Sequence, residues 1–158
     1  MSEETAVQED LQNRFPSLRD KIRVARARRL FVEVPLADFT EVFDYAVKQG
    51  GFSILCAITG VDRGDALGAI YHVARVNGVM LNLSVRIDRS SPVIQSVTPY
   101  FPAAQVYERE MIDLLGIQVR GLPPGSRYPL PDDWPKDQFP LRKDWNPEVL
   151  KMGETKDA

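Results

Sequence analysis

The pair Asn77-Gly78, with an apolar-polar alternation beside it, constrains the fold of this chain more than any other feature. Asn-Gly is the favoured pair of two-residue hairpin turns, because both positions then take positive φ. The spacing therefore predicts two strands, over 68–76 and 79–87. In the second, Leu81, Leu83, Val85 and Ile87 alternate with Asn82, Ser84 and Arg86. That is the pattern of an antiparallel strand with one face on a core and the other in water. A lone hairpin is marginal, so further strands or helices must cover its apolar face.

Those partners can be read along the chain. The apolar run 52–59 predicts a strand, joined to the hairpin through the polar turn Asp62-Arg63-Gly64-Asp65. A short strand is expected at 93–97, and a strand or small hairpin at 21–34, where Ile22, Val24, Phe31, Val32 and Val34 recur. Arg23, Arg26, Arg28 and Arg29 crowd the same stretch. They read as a basic patch for nucleic acid or as a charged strand that blunts a sheet edge, and the second is the simpler reading.

Helical signals are separate from these strands. Leu11, Phe15 and Leu18 suggest a brief first helix interrupted near Pro16. After Pro35, the residues Leu36, Phe39, Phe43, Ala46 and Val47 form one apolar stripe, and Gly50-Gly51 ends it. Pro102 and Gly116 bracket a last helix. Strands grouped apart from helices predict an α+β fold: a two-layer sandwich with a mainly antiparallel sheet over 1–116, a C-terminal helix, then a tail over 117–158.

Composition narrows the function. Hydrophobic residues are 44% and charged residues 27%, with a net charge of −2, which gives no general pull toward nucleic acid or anionic membrane. The acidic start lacks the apolar core of a secretory signal. The uncharged stretch around the most apolar segment, 49–61, falls well short of the roughly 20 residues of a spanning helix. One cysteine and one histidine cannot ligate an iron–sulfur cluster or a structural zinc ion, nor form a disulfide within the chain. Cys56 reads as a small buried hydrophobe and His72 as a structural strand residue.

In the helix at 102–115, Ala104, Tyr107, Met111, Leu114 and Leu115 share a face, and Glu108 falls inside that apolar arc. A buried carboxylate needs a cation, backbone donors or another subunit. Arg109 and Asp113, four apart, are expected to pair on the exposed side. Glu108 and Glu110 point about 200° apart, so they cannot serve as an acid/base pair around one substrate. From residue 117 periodicity stops. Seven of the twelve prolines lie there, a density expected to forbid helices and central strands, yet Tyr128, Trp134, Phe139 and Trp145 are spaced among them. Extended chain with aromatic anchors is suited to lying across a partner, although folding back over its own domain is the alternative.

Tyr107-Glu-Arg-Glu110 with Asp113-Leu-Leu-Gly-Ile117, then Tyr128-Pro-Leu-Pro-Asp-Asp-Trp134 and Phe139-Pro-Leu-Arg-Lys-Asp-Trp145, resemble the family of the thirty-kilodalton subunit of respiratory complex I. The family commonly carries His, Pro-Asp and basic residues after the helix. Here Leu122-Pro-Pro-Gly-Ser-Arg127 stands instead, which is similar to the branch found in energy-converting [NiFe] hydrogenases and formate hydrogenlyase-type complexes. The resemblance implies a cofactor-free structural subunit of the peripheral arm of a membrane-bound, ion-pumping complex, on the cytoplasmic face. It implies packing on the hydrogenase-like large subunit, with the [NiFe] centre and iron–sulfur clusters held by partner subunits. Glu108, Arg109, Glu110, Asp113, Arg127, Tyr128, Asp132, Asp133, Trp134, Phe139, Arg142 and Trp145 are then expected at partner interfaces. The corresponding subunit of an NADH-quinone dehydrogenase, complex I proper, is the alternative. A stand-alone α+β enzyme is a remote one, since the chain offers one His and scattered carboxylates.

Overall fold

The computed structural model describes residues 2–151. Helix α1 (Glu3–Arg14) starts at Ser2, whose hydroxyl caps Thr5 N–H, and stops before the 3-10 turn Pro16–Leu18. It is longer than its apolar spacing suggests, with only Val7 and Leu11 of its apolar residues buried. Strands β1 (Ile22–Arg26) and β2 (Arg29–Val34) form the expected hairpin. Helix α2 (Phe39–Lys48) follows a 3-10 turn at Leu36–Asp38, which leaves Leu36 exposed and buries Phe39, Val42, Phe43 and Ala46. Then come β3 (Ile54–Asp62), β4 (Ala66–Ala74), β5 (Met80–Asp88) and β6 (Val93–Gln95). Helix α3 (Ala104–Leu115), β7 (Gln118–Arg120) and a last turn, α4 (Glu148–Lys151), complete the described residues.

The main sheet has the order β1-β2-β5-β4-β3. All its pairings are antiparallel except β2 with β5, which is parallel. The parallel pair arises because the chain leaves β2 through α2, crosses to the far edge at β3, and returns through the β4–β5 hairpin. Leu30, Val32, Tyr71, Val73, Leu81, Leu83, Val85 and Ile87 point to one face and are buried with α1, α2 and α3 in a single core. Tyr71 lies 4.7 Å from Phe39 and 5.5 Å from Phe43, centroid to centroid, which fixes α2 on this face. Among the described residues the other face carries no helix. It presents Arg23, Phe31, Glu33, Ile70, His72, Asn82, Ser84 and Arg86 in neighbouring register positions. The expected two-layer α+β sandwich is thus the observed one.

The central turn differs from its expectation. Arg75 N–H bonds Val79 O and Gly78 N–H bonds Arg75 O, so three residues, Val76 to Gly78, form the loop, and only Gly78 takes positive φ, at 86°. A two-residue turn would slip the register by one and drive Leu81 and Leu83 out of the core. The burial of a whole strand face outweighs the local Asn-Gly preference.

Cys56 also differs: it is exposed. The β3–β4 register shifts between Leu55 and Ala57, and Cys56 occupies that bulge. A bulge re-aims its residue away from the alternation of the strand. His72 is a sheet residue as expected. Its Nδ1 lies 2.7 Å from Asn82 Oδ1 and its Nε2 3.0 Å from Thr59 Oγ1. Asn82 in turn donates to Leu30 O at 2.7 Å, so this buried amide is satisfied. The arginines of 21–34 sit on or beside β1, which is the edge strand, all exposed except half-buried Arg29.

Candidate functional site

The resemblance-bearing residues converge where α3 meets the tail. Met111 and Leu115 of α3 are buried in the core, and Glu108, one turn before Met111 on the helix, has no exposed surface. Its two carboxylate oxygens accept the Val97 N–H and the Ser96 hydroxyl, each at 2.7 Å. Burial raises the Glu108 pKa, and these two donors oppose the rise only in part. Glu108 thereby ties α3 to the chain just after β6, which pairs with β7 in a small parallel sheet. The partner it needed lies within its own chain, so it shapes an outer surface only through what it holds in place.

Asp113 corrects another expectation. It does not pair with Arg109 on an exposed side; it is buried and faces the tail. Its Oδ2 accepts Arg127 Nε at 3.2 Å and Leu130 N–H at 3.1 Å. Arg109 donates instead to Pro123 O at 2.7 Å. Two successive turns of α3 therefore grip the tail, and the helix-face geometry that would join Arg109 to Asp113 yields to stronger partners brought by the returning chain.

Farther along, Leu141 N–H bonds Leu114 O, and Arg142 Nε bonds Leu115 O at 2.7 Å. These satisfy carbonyls at the helix end that no residue of the helix can reach. Gly116, with φ of 71°, caps that end, and a Cβ here would meet the Phe139 ring at 2.7 Å and Arg142 at 2.8 Å. The left-handed cap and the docking of Phe139 both require glycine. Arg142 also stacks 4.6 Å from the Phe139 centroid. Trp134 and Trp145 lie 6.1 Å apart and donate to the two carbonyl oxygens of Gln138, main chain and side chain. Arg127 also reaches Trp134 O at 3.0 Å.

At Lys143 and Asp144 the tail meets a site whose sequence reads only as a turn. The side chain of Asp62, 2% exposed, accepts Arg89 Nη1 at 2.8 Å. It also accepts Gly64 N–H at 2.7 Å and Lys143 N–H at 2.8 Å. Arg89 pairs with Asp144 as well. Burial pulls the Asp62 pKa upward, but the Lys143, Gly64 and Arg89 hydrogen bonds outweigh it and hold it at about 2. Nothing local in Asp62-Arg63-Gly64-Asp65 reports a partner 81 residues away.

The tail is mainly extended and lies along its own domain as far as Trp145, but it opens with β7 paired to β6 and carries the one-turn helix α4. The proline density is expected to forbid that helix, which forms because Pro147 only precedes its first turn. Residues 152–158 lie outside the described residues. Among the described residues nothing covers its outward side. Tyr128 is 46% and Leu141 55% exposed, and Asp132 and Asp133 are exposed with no hydrogen bond or ion pair among the described residues. Trp134, Phe139, Arg142 and Trp145 belong to the stretch held against the chain itself, and Glu110 is half-buried beside Leu141. Among the described residues no cluster of three or more metal-ligating side chains occurs, and no helix is long and apolar enough to cross a membrane.

Residues 32–149 match the family described as respiratory-chain NADH dehydrogenase, 30 Kd subunit. The chain belongs to this family. Among its relatives, a subunit of the F(420)H(2) dehydrogenase of Methanosarcina mazei is 35% identical over 87% of this chain and 88% of its own length. Formate hydrogenlyase subunit 5 of Escherichia coli is 38% identical over 82% of this chain, which spans only 24% of that larger protein. A chain in the structure of the membrane-bound sulfane sulfur reductase, an archaeal respiratory membrane complex, shares the fold. It superposes with a TM-score of 0.78 at 24% identity, over 96% of this chain and 91% of that one. As a member of the thirty-kilodalton family, the protein is a subunit of a complex I-like oxidoreductase assembly. Its partners are other subunits of that assembly.

Proposed function

We propose that this subunit is a structural clamp of the peripheral arm, holding a hydrogenase-like large subunit in register with iron–sulfur subunits. The observation that carries the reading is the tail. Hydrogen bonds from Arg127, Leu130, Leu141, Arg142 and Lys143 fix it along α3 and the β3–β4 turn, so Tyr128, Asp132, Asp133 and Leu141 are held on a preorganised outer surface. Preorganisation lowers the ordering cost of association, and an aromatic flanked by carboxylates suits a polar, partly basic partner face. In this reading the chain holds no redox group itself, in keeping with one Cys and one His. The [NiFe] centre and clusters belong to its neighbours, and the peripheral arm that holds this subunit lies on the cytoplasmic face of the membrane. The kinship to a dehydrogenase subunit supports a second reading, in which the same clamp serves a dehydrogenase.

Substituting Tyr128→Ala with Leu141→Ala tests the surface without touching the bonds that pin the tail, since Leu141 bonds through its backbone. The isolated variant should keep its Tm, and it should no longer co-purify with the large subunit. Undiminished co-purification contradicts the clamp.

A further inference from the structure

The helix-free face of the main sheet carries a groove well apart from the tail. Two cavities, of about 220 and 420 Å³, merge over β2 and β5 and share Lys21, Glu33, Arg63 and Ser84 as lining. The floor is partly apolar: half-buried Phe31 and Ile70 lie in the larger cavity, Val34 and Pro35 in the smaller. The walls are cationic. Lys21 and Arg23 rise on the β1 side, while Arg63 folds back over Gly68 and donates to Ser84 at 2.8 Å. Four cations (Lys21, Arg23, Arg63 and Arg86) line the groove against two carboxylates, Asp20 and Glu33. Of the four, only Arg86 has a carboxylate partner among the described residues, namely Asp65. In a chain of net charge −2, this is a local reversal of sign.

The solvated face of a sheet is commonly polar. Here a recessed apolar floor lies between guanidinium and ammonium groups, three of which (Lys21, Arg23 and Arg63) lack carboxylate partners among the described residues. Arg23 stacks 5.1 Å from the Phe31 centroid, which holds its charge at the rim with its planar edge free for a carboxylate. Glu33 in the middle of the groove disfavours the continuous phosphate track of a nucleic acid, whereas a peptide can set a donor against Glu33 and carboxylates against its neighbours.

We propose that this groove docks an acidic polypeptide segment of a neighbouring subunit, with an apolar side chain on Phe31 and Ile70 and carboxylates paired to Arg23 and Arg63. The inference rests on the clamp reading only in taking the chain to work inside an assembly.

The test is photo-cross-linking in the native, detergent-solubilised complex, with benzoylphenylalanine incorporated at position 31 and, separately, at position 128. The expected product from position 31 is a peptide of another subunit with net negative charge, identified by mass spectrometry. Arg23→Glu with Arg63→Glu should cut that product roughly tenfold, leaving the position-128 product and the Tm unchanged. Arg23→Gln with Arg63→Gln should give an intermediate loss and guards against a folding defect. A product at position 128 with none at position 31 overturns the groove alone. So does a position-31 product with nucleic acid or with a basic segment, or a yield indifferent to charge reversal. Absence of product at both positions overturns the groove and the clamp together.

Discussion

Asp62→Asn isolates the link that fastens the tail at Lys143. The carboxylate is nearly inaccessible and takes Arg89 and two backbone N–H groups. With an ordinary value of 3.8 and a folded value of about 2, linkage assigns it about 2 kcal/mol of stability at neutral pH. The folded pKa is depressed, so this contribution is full above 3.8 and disappears as pH falls through about 2. At pH 2 only about 0.4 kcal/mol of it remains. Asparagine removes the charge that holds Arg89 and leaves one acceptor oxygen where the native side chain has two. Urea unfolding at pH 7 should show the variant less stable by about 2 kcal/mol, and the gap should narrow as pH falls from 4 toward 2. Hydrogen exchange should locate the loss at the Lys143 amide and its neighbours before the core strands. Equal stability at pH 7, or a gap that stays constant with pH, refutes the reasoning.

Three further outcomes follow from the same contacts. Glu108→Ala leaves the Val97 N–H and Ser96 hydroxyl without their acceptor and should cost about 2 kcal/mol in urea unfolding. Glu108→Gln should cost less; because burial raises the native pKa, wild type should lose stability relative to Gln as pH rises through the carboxylate range. Gly116→Ala forces a Cβ into the Phe139 ring at a left-handed cap, with an expected loss of about 1–2 kcal/mol and faster exchange at Leu141 and Arg142.

How much of the fold is legible in the sequence depends on the range of the interactions involved. The β4–β5 hairpin, the α2 stripe and the ends of α3 are set by neighbours a few residues apart, and all are readable. Glu108 is readable as an inward carboxylate because the helix wheel is local, although its donors, Ser96 and Val97, are not identifiable. The parallel β2–β5 pair is hidden, since its register depends on a crossover rather than on either strand. Cys56 misleads because the bulge that exposes it is a property of pairing with β4. Asp113 misleads because Arg127 and Leu130 arrive from beyond the helix, and Asp62 escapes notice because its partners are Arg89 and Lys143. Long-range polar contacts leave little trace in local pattern, and the site is made mostly of them.

If the protein works as a subunit clamped to a large hydrogenase-like partner by the outer side of its tail, its native neighbours should come with it. The most direct test is to tag the chain at its N-terminus, solubilise native membranes in mild detergent, and identify by mass spectrometry what co-purifies. The expected result is a [NiFe]-hydrogenase-like large subunit and cluster-bearing subunits in constant proportion to the tagged chain, lost together on Tyr128→Ala with Leu141→Ala. Recovery of the tagged chain alone, as a soluble monomer, would contradict the clamp.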